Sequence, residues 1–144
     1  MEALRKPVGI YLVAVAIVVA VFFIIDPFLE DSVDVLQVWQ ILDILIVIAL
    51  VPALLFNYIC KREEDGKDPS GPVTRSYLAA NVVFFLTAAV TILFLHNWFS
   101  LLAMGESSLD GNHSAWNIWS VVNTILPLAL GITGCRMWCG PGKE

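Results

Sequence analysis

The chain has 144 residues, of which 58% are hydrophobic and 15% charged, and its mean hydropathy is +0.80. A soluble domain of this size leaves much of its surface in water and could not bury so many apolar side chains. The net charge is −5, and the 8 Lys and Arg residues do not form the basic stripe that nucleic-acid binding requires. The composition therefore predicts an integral membrane protein surrounded by lipid, with no nucleic-acid partner.

The first apolar run extends from Val8 to Ile25 without a charge. Its length of about 18 residues is enough to cross the hydrocarbon core of a bilayer. A secretory signal peptide is the alternative, because Arg5 and Lys6 precede the run. However, the run is longer than the usual apolar region of a signal peptide and lacks a small-x-small cleavage site, which favours a retained membrane helix.

Three further apolar runs follow at about 36–60, 76–99 and 114–138. Pro52 predicts a kink in the second run, and the hydrophilic segment 61–75 predicts an exposed cytoplasmic loop. Trp and Tyr lie near the predicted ends, as expected for side chains that favour the headgroup level. Short connections favour antiparallel neighbours, so the sequence predicts a single all-α domain: a transmembrane four-helix bundle with up-down-up-down order.

The basic residues all fall on one side of such a bundle. They are Arg5, Lys6, Lys61, Arg62, Lys67, Arg75, Arg136 and Lys143. The two connections on the other side carry only acidic charges, at Asp26, Glu30, Asp31, Asp34, Glu106 and Asp110. Positively charged loops stay in the cytoplasm, so both termini are predicted to be cytoplasmic. The clear asymmetry favours a bacterial inner (plasma) membrane over the alternative, a eukaryotic or organellar membrane.

Asp43 is the charged residue that lies deepest in an apolar run, roughly 10 Å from its predicted outer end at 1.5 Å per residue. A carboxylate at that depth normally faces protein or a water-filled cavity, or takes up a proton. Other polar residues of the same half complete a candidate polar cluster, which is Gln40, Asp43, Thr91, His96 and Asn123. This cluster predicts a proton, cation or metal site; the alternative is hydrogen bonding that only fixes helix packing, or solvation at the interface.

The three cysteines form a second candidate site, because Cys60, Cys135 and Cys139 all lie at predicted cytoplasmic helix ends. The four-residue spacing places Cys135 and Cys139 on one helix face, where they could bind a metal together with Cys60 or carry a lipid. Alternatively, they are packing residues in a reducing compartment, where a structural disulfide is not expected. His96 and His113 lack the additional ligand spacing that would indicate a metal site.

Small residues in the later runs predict places where helices approach closely. Gly131 and Gly134 flank Thr133 in the fourth run, and Pro127 predicts a bend before them.

Motifs of known catalytic sites do not occur in the chain, which has no HExxH, nucleophile elbow, phosphate loop or nucleotide fingerprint. A copper or iron site completed by a partner chain would carry no such motif. The sequence does not indicate which cofactor, if any, the chain binds. The leading hypothesis is a small non-catalytic subunit that stabilises or positions a catalytic or transport partner among other integral membrane subunits. The alternative is a component of an oligomeric transporter or channel for protons or a small solute, using Asp43, Asn123 and His96.

Overall fold

A computed structural model shows the chain as four long α-helices. The structure describes residues 2–29, 34–67, 73–105, 109 and 111–139, and no strand occurs within these ranges. The helices are α1 (Glu2–Ile25), α2 (Val35–Asp65), α3 (Arg75–Met104) and α4 (His113–Cys139), and a short 3-10 turn, Asp26–Phe28, follows α1. The predicted all-α architecture of four helices is confirmed.

Each of the four helices is long and apolar enough to cross a membrane. Many of their large apolar side chains face outward, including Ile17, Ile48, Phe85 and Leu128, which are all exposed. Such a surface is suited to lipid or to other membrane helices and not to water.

Several sequence predictions fall outside the described residues. These are the basic residue Lys143, residues 68–72 of the predicted loop, and the acidic residues Glu30, Asp31, Glu106 and Asp110.

The helices extend beyond the apolar runs that predicted them. One such extension enters the predicted loop 61–75, because α2 continues through Lys61–Asp65. Lys61 pairs with Asp65 one turn later, and residues of this type are good helix formers in water. An apolar run marks where a helix leaves lipid, and charged residues can continue the same helix beyond that point.

Side chains and a glycine mark the ends of the helices. The Asp34 carboxylate accepts a hydrogen bond from the Gln37 backbone N–H at 3.1 Å, at the start of α2. The Thr74 hydroxyl accepts one from the Tyr77 N–H at 3.1 Å, at the start of α3. Gly105, with a φ of 64°, follows the last residue of α3. These contacts satisfy backbone groups that a helix end leaves unpaired.

The core lies between all four helices, and α1 with α4 forms the most extensive helix pair. Its fully buried apolar side chains include Leu12, Ile46, Phe94 and Leu126, one from each helix. Alignment of apolar faces from four helices produces this continuous core.

The α1–α4 pair depends on two glycines. A Cβ atom on Gly134 would lie 2.6 Å from the Gly9 carbonyl oxygen, and one on Gly9 would lie 2.8 Å from the Gly134 carbonyl oxygen. Both distances are far shorter than a van der Waals contact, so only glycine permits this approach. A Cβ on Gly131 would meet only the Ala16 Cβ, at 3.9 Å, so an alanine would fit at this position.

The bundle has two chemically different ends. All Lys and Arg residues of the described chain lie at one end, called the basic end, which includes Arg5, Lys61, Arg75 and Arg136. There, the Arg5 guanidinium donates a hydrogen bond to the Arg136 carbonyl oxygen at 3.4 Å. The other end, called the acidic end, carries Asp26 and Asp34 in its described part.

Candidate functional site

A cavity of about 100 Å³ lies at the acidic end, between the end of α1 and the neighbouring parts of α2 and α4. Four polar side chains line it, from Asp26, Asp43, Ser120 and Asn123. The structure therefore brings together two members of the candidate polar cluster, Asp43 and Asn123.

Both of these residues are buried and incompletely hydrogen-bonded. Asp43 is 2% exposed and Asn123 is 7% exposed. The Oδ1 atom of each has no hydrogen-bond partner within the described part of the chain. Leaving a buried acceptor unpaired costs about 1–3 kcal/mol, so both oxygens are available to a donor in the cavity.

Aromatic contacts hold the walls of the cavity in place. The Trp39 indole N–H donates to Asp26 Oδ2 at 3.1 Å, and the Phe22 ring packs against Trp39 with centroids 5.1 Å apart. Trp119, on the opposite helix, packs edge-on against Phe94 at 5.9 Å. These side chains fix the position of Asp26 and of two indole rings that line the cavity.

The remaining members of the candidate polar cluster lie elsewhere. Gln40 and His96 are exposed, and His96 lines a separate pocket with Asn97 and Ser100. Thr91 is buried, but its hydroxyl donates to the backbone oxygen of Thr87 at 2.6 Å, within α3. The cavity therefore contains a carboxylate and an amide from the cluster, without its imidazole.

A different polar group, which sequence reasoning missed, joins three helices in the interior. The Asn57 amide of α2 donates to the Thr87 hydroxyl of α3 at 3.1 Å and to the Thr133 hydroxyl of α4 at 2.9 Å. All three residues are almost completely buried. Their only sequence signal is a lone polar residue within an apolar run, which does not show which helix faces meet. These hydrogen bonds serve helix packing.

The candidate thiols do not converge with one another into a group of three ligands. Cys60 is half-buried on α2, whereas Cys135 and Cys139 are exposed on α4, and all three are free. Within the described ranges, no three His, Cys, Asp or Glu side chains converge in a way that could hold a metal ion. His113 is the first residue of α4 and is exposed.

A groove with a volume of about 500 Å³ runs along the outer surface of α3 and α4. Its walls include Ala79 and Val83 of α3, and Leu128, Gly131 and Ile132 of α4. Leu128 is 60% exposed, so this surface is apolar and open. The groove is a second candidate for function, as a surface for contact with another membrane component.

The fold and these two features define the class of protein, a four-helix protein of membrane-spanning length with a polar cavity at one end. Comparison of the chain with protein-family models, curated proteins and solved structures finds no match.

Proposed function

We propose that the chain is a small non-catalytic subunit of a larger integral membrane complex, and that it contacts its partner through the groove on α3 and α4. The supporting observation is Gly131, which lines the groove although the bundle itself has room for a Cβ atom at this position. A subunit that stabilises or positions a catalytic or transport partner needs such a contact surface.

Glycine at position 131 lowers the stability of the α4 helix. Glycine inside a helix is less favourable than alanine by about 0.5–1 kcal/mol, so internal packing normally accounts for it. Gly134 has that reason, because any side chain there would collide with Gly9. Gly131 has no such collision. In membranes, small residues allow helices from different chains to approach closely, which gives Gly131 a use at an interface.

The shape and chemistry of the groove fit a helix of another membrane subunit. Ala79 and Gly131 keep it open, and Val83, Leu128 and Ile132 supply apolar contact area. Association in lipid gains free energy mainly from close van der Waals contact, and a groove offers more contact than a convex helix surface.

The experiment compares Gly131→Leu with a matched control, Ala14→Leu, which adds the same side chain on an exposed position of α1. Each full-length protein is extracted gently from its native membrane, and its native mass and copurifying chains are determined by mass spectrometry. We expect a stoichiometric foreign subunit with the wild-type chain and with Ala14→Leu, and loss of that subunit with Gly131→Leu. Retention of the subunit by Gly131→Leu, or a wild-type chain with no foreign subunit, contradicts the proposal.

The cavity supports a second candidate function, a component of an oligomeric transporter or channel for protons or a small solute. Asp43 and Asn123 would line the path, although His96 lies outside the cavity. Toward the basic end, Ile46 and Leu126 fill the core with fully buried side chains, so other copies would have to supply the remaining walls. A homo-oligomer without a foreign subunit in the same mass measurement would favour this candidate.

For the cellular location, we propose a bacterial inner membrane with both termini in the cytoplasm and with the helices in up-down-up-down order. The support is the segregation of charge, because all described Lys and Arg residues lie at the basic end. Basic segments are retained on the cytoplasmic side during insertion. Membrane lipids would contact the remaining apolar surface.

A further inference from the structure

The subunit proposal makes no use of the cavity at the acidic end, whose chemistry indicates a ligand of a particular kind. Asp43 and Asn123 can each accept a further hydrogen bond, since each has a buried Oδ1 atom without a partner among the described residues. A carboxylate and an amide oxygen can only accept hydrogen bonds. The complementary ligand therefore carries N–H or O–H groups or is itself a cation.

The charges of the lining favour a cation over a neutral donor. Asp26 adds a second carboxyl group to the same cavity, and its Oδ2 atom already accepts from Trp39. The Lys and Arg residues of the described chain all lie at the basic end, so none of them is a counter-ion for Asp43. A carboxylate surrounded by apolar helices needs a positive partner or a proton.

The aromatic residues distinguish an organic cation from a metal ion. Trp39, Trp116 and Trp119 line the cavity, and indole faces attract ammonium groups and their alkyl chains. A metal ion held by three protein side chains is not indicated, because no group of three His, Cys, Asp or Glu residues converges in the described ranges.

The volume limits the part of the ligand inside the cavity to a few heavy atoms. A cavity of about 100 Å³ has the volume of roughly three water molecules in the liquid. We propose that the cavity binds a primary ammonium group on a short alkyl chain, with Asp43 as its counter-ion, Asn123 as a second acceptor and Trp39 and Trp119 as its aromatic walls. This inference is independent of the subunit proposal.

The test uses the full-length chain in nanodiscs of phosphatidylcholine and ethylammonium chloride as the probe. Tryptophan fluorescence reports on the cavity directly, because three of the five Trp residues line it. We expect a saturable change with ethylammonium. Ethanol, which has a similar size without the charge, and sodium chloride at equal ionic strength should give no saturable change.

Two matched variants locate the response. Asp43→Asn keeps the shape of the side chain and removes its charge, so we expect the affinity for ethylammonium to fall by about tenfold or more. Asp34→Asn is the control at the same end, because Asp34 is exposed and Asn also caps helices well. Its affinity for ethylammonium should equal that of the wild type.

Three results would overturn the inference. They are an equal response to ethanol, an equal response to sodium chloride, and an unchanged affinity in Asp43→Asn. The comparison of probes needs only the wild-type chain, so the inference stays testable if Asp43→Asn does not fold.

The ammonium group could come from a soluble amine or from a lipid with an ethanolamine headgroup. Repeating the titration in nanodiscs that contain phosphatidylethanolamine separates the two sources. Competition by the lipid would raise the concentration of ethylammonium at half-saturation and assign the site to the headgroup. An unchanged midpoint would assign it to a soluble amine.

Discussion

Asn57 makes two interhelical hydrogen bonds, one to Thr87 and one to Thr133. No other side chain in the described interior makes as many. The two hydroxyls also donate to carbonyl oxygens one turn earlier in their own helices, Thr87 to Val83 and Thr133 to Ala129. Each threonine is therefore both donor and acceptor. The network links α2, α3 and α4 at one level of the bundle.

Thr133→Val should destabilise the bundle by about 1 kcal/mol, because it keeps the side-chain shape and removes one acceptor of the Asn57 amide. Thr124→Val is the matched control, since the exposed Thr124 hydroxyl bonds only to the Ser120 carbonyl oxygen of its own helix. The free energy of unfolding of both variants can be measured in mixed micelles by circular dichroism. Equal stabilities of the two variants would show that the Asn57 bond contributes nothing.

The polar residues also show how far depth can be predicted from sequence. Counting residues from a helix end placed Asp43 and Asn123 at similar depths, and both line one cavity. The same counting did not separate them from Gln40 and His96, which are exposed. Depth follows from the rise per residue, whereas the direction of a side chain depends on helix rotation, which is set by packing against neighbours.

At the scale of the helix, Gly131 and Gly134 look equivalent in the sequence and differ in the structure. Gly134 faces Gly9 of α1, whereas Gly131 lies at the groove and has room for a Cβ atom. The Gly9–Gly134 pair limits the distance between α1 and α4, whereas a Cβ atom on Gly131 would reach only an ordinary contact with Ala16.

Gly134→Ala should destabilise the bundle by about 1–3 kcal/mol, because the new Cβ forces two backbones apart. Gly131→Ala is the control, and its stability should be unchanged or higher, since alanine favours the helix. Thermal unfolding in detergent, followed by circular dichroism, measures both. A Gly134→Ala variant as stable as the wild type would mean that the close approach of α1 and α4 is unimportant for stability.

Helix number and helix ends differ in how well the sequence predicts them. Four apolar runs correspond to four helices, because an unbroken helix satisfies backbone hydrogen bonds in lipid. The C-terminal end predicted for α2 lies too early, because the helix continues through Lys61–Asp65. Hydropathy indicates where a helix leaves the lipid. The charged residues beyond that point extend the same helix because they form ion pairs with one another in water.

At the scale of the molecule, charge separates the two ends of the bundle, and the orientation can be tested with single cysteines. In a chain without its natural cysteines, Cys139 is restored for the basic end and Asp34→Cys is introduced for the acidic end. Both positions are exposed. We expect a membrane-impermeant maleimide to label Asp34→Cys in intact bacterial spheroplasts and Cys139 only after the membrane is opened, because basic ends stay in the cytoplasm.

The reverse labelling pattern would contradict the proposed orientation. Labelling of both cysteines in intact spheroplasts would contradict the three membrane crossings, by α2, α3 and α4, that separate Asp34 from Cys139. The reverse pattern would leave the packing of the four helices unchanged, since the maleimide reports only on which side each end lies.

The pairing of α1 with α4 has a consequence for the order of events during biosynthesis. Arg5 and Arg136 are 131 residues apart, yet they contact each other beside the Gly9–Gly134 crossing. Because a chain emerges from its N-terminus, α1 enters the bilayer long before its main partner has been translated. Until then, the glycine face of α1 is open to lipid or to α4 of another copy, the situation that permits domain swapping. The bundle can therefore be completed only after α4, the last helix, has been translated and inserted.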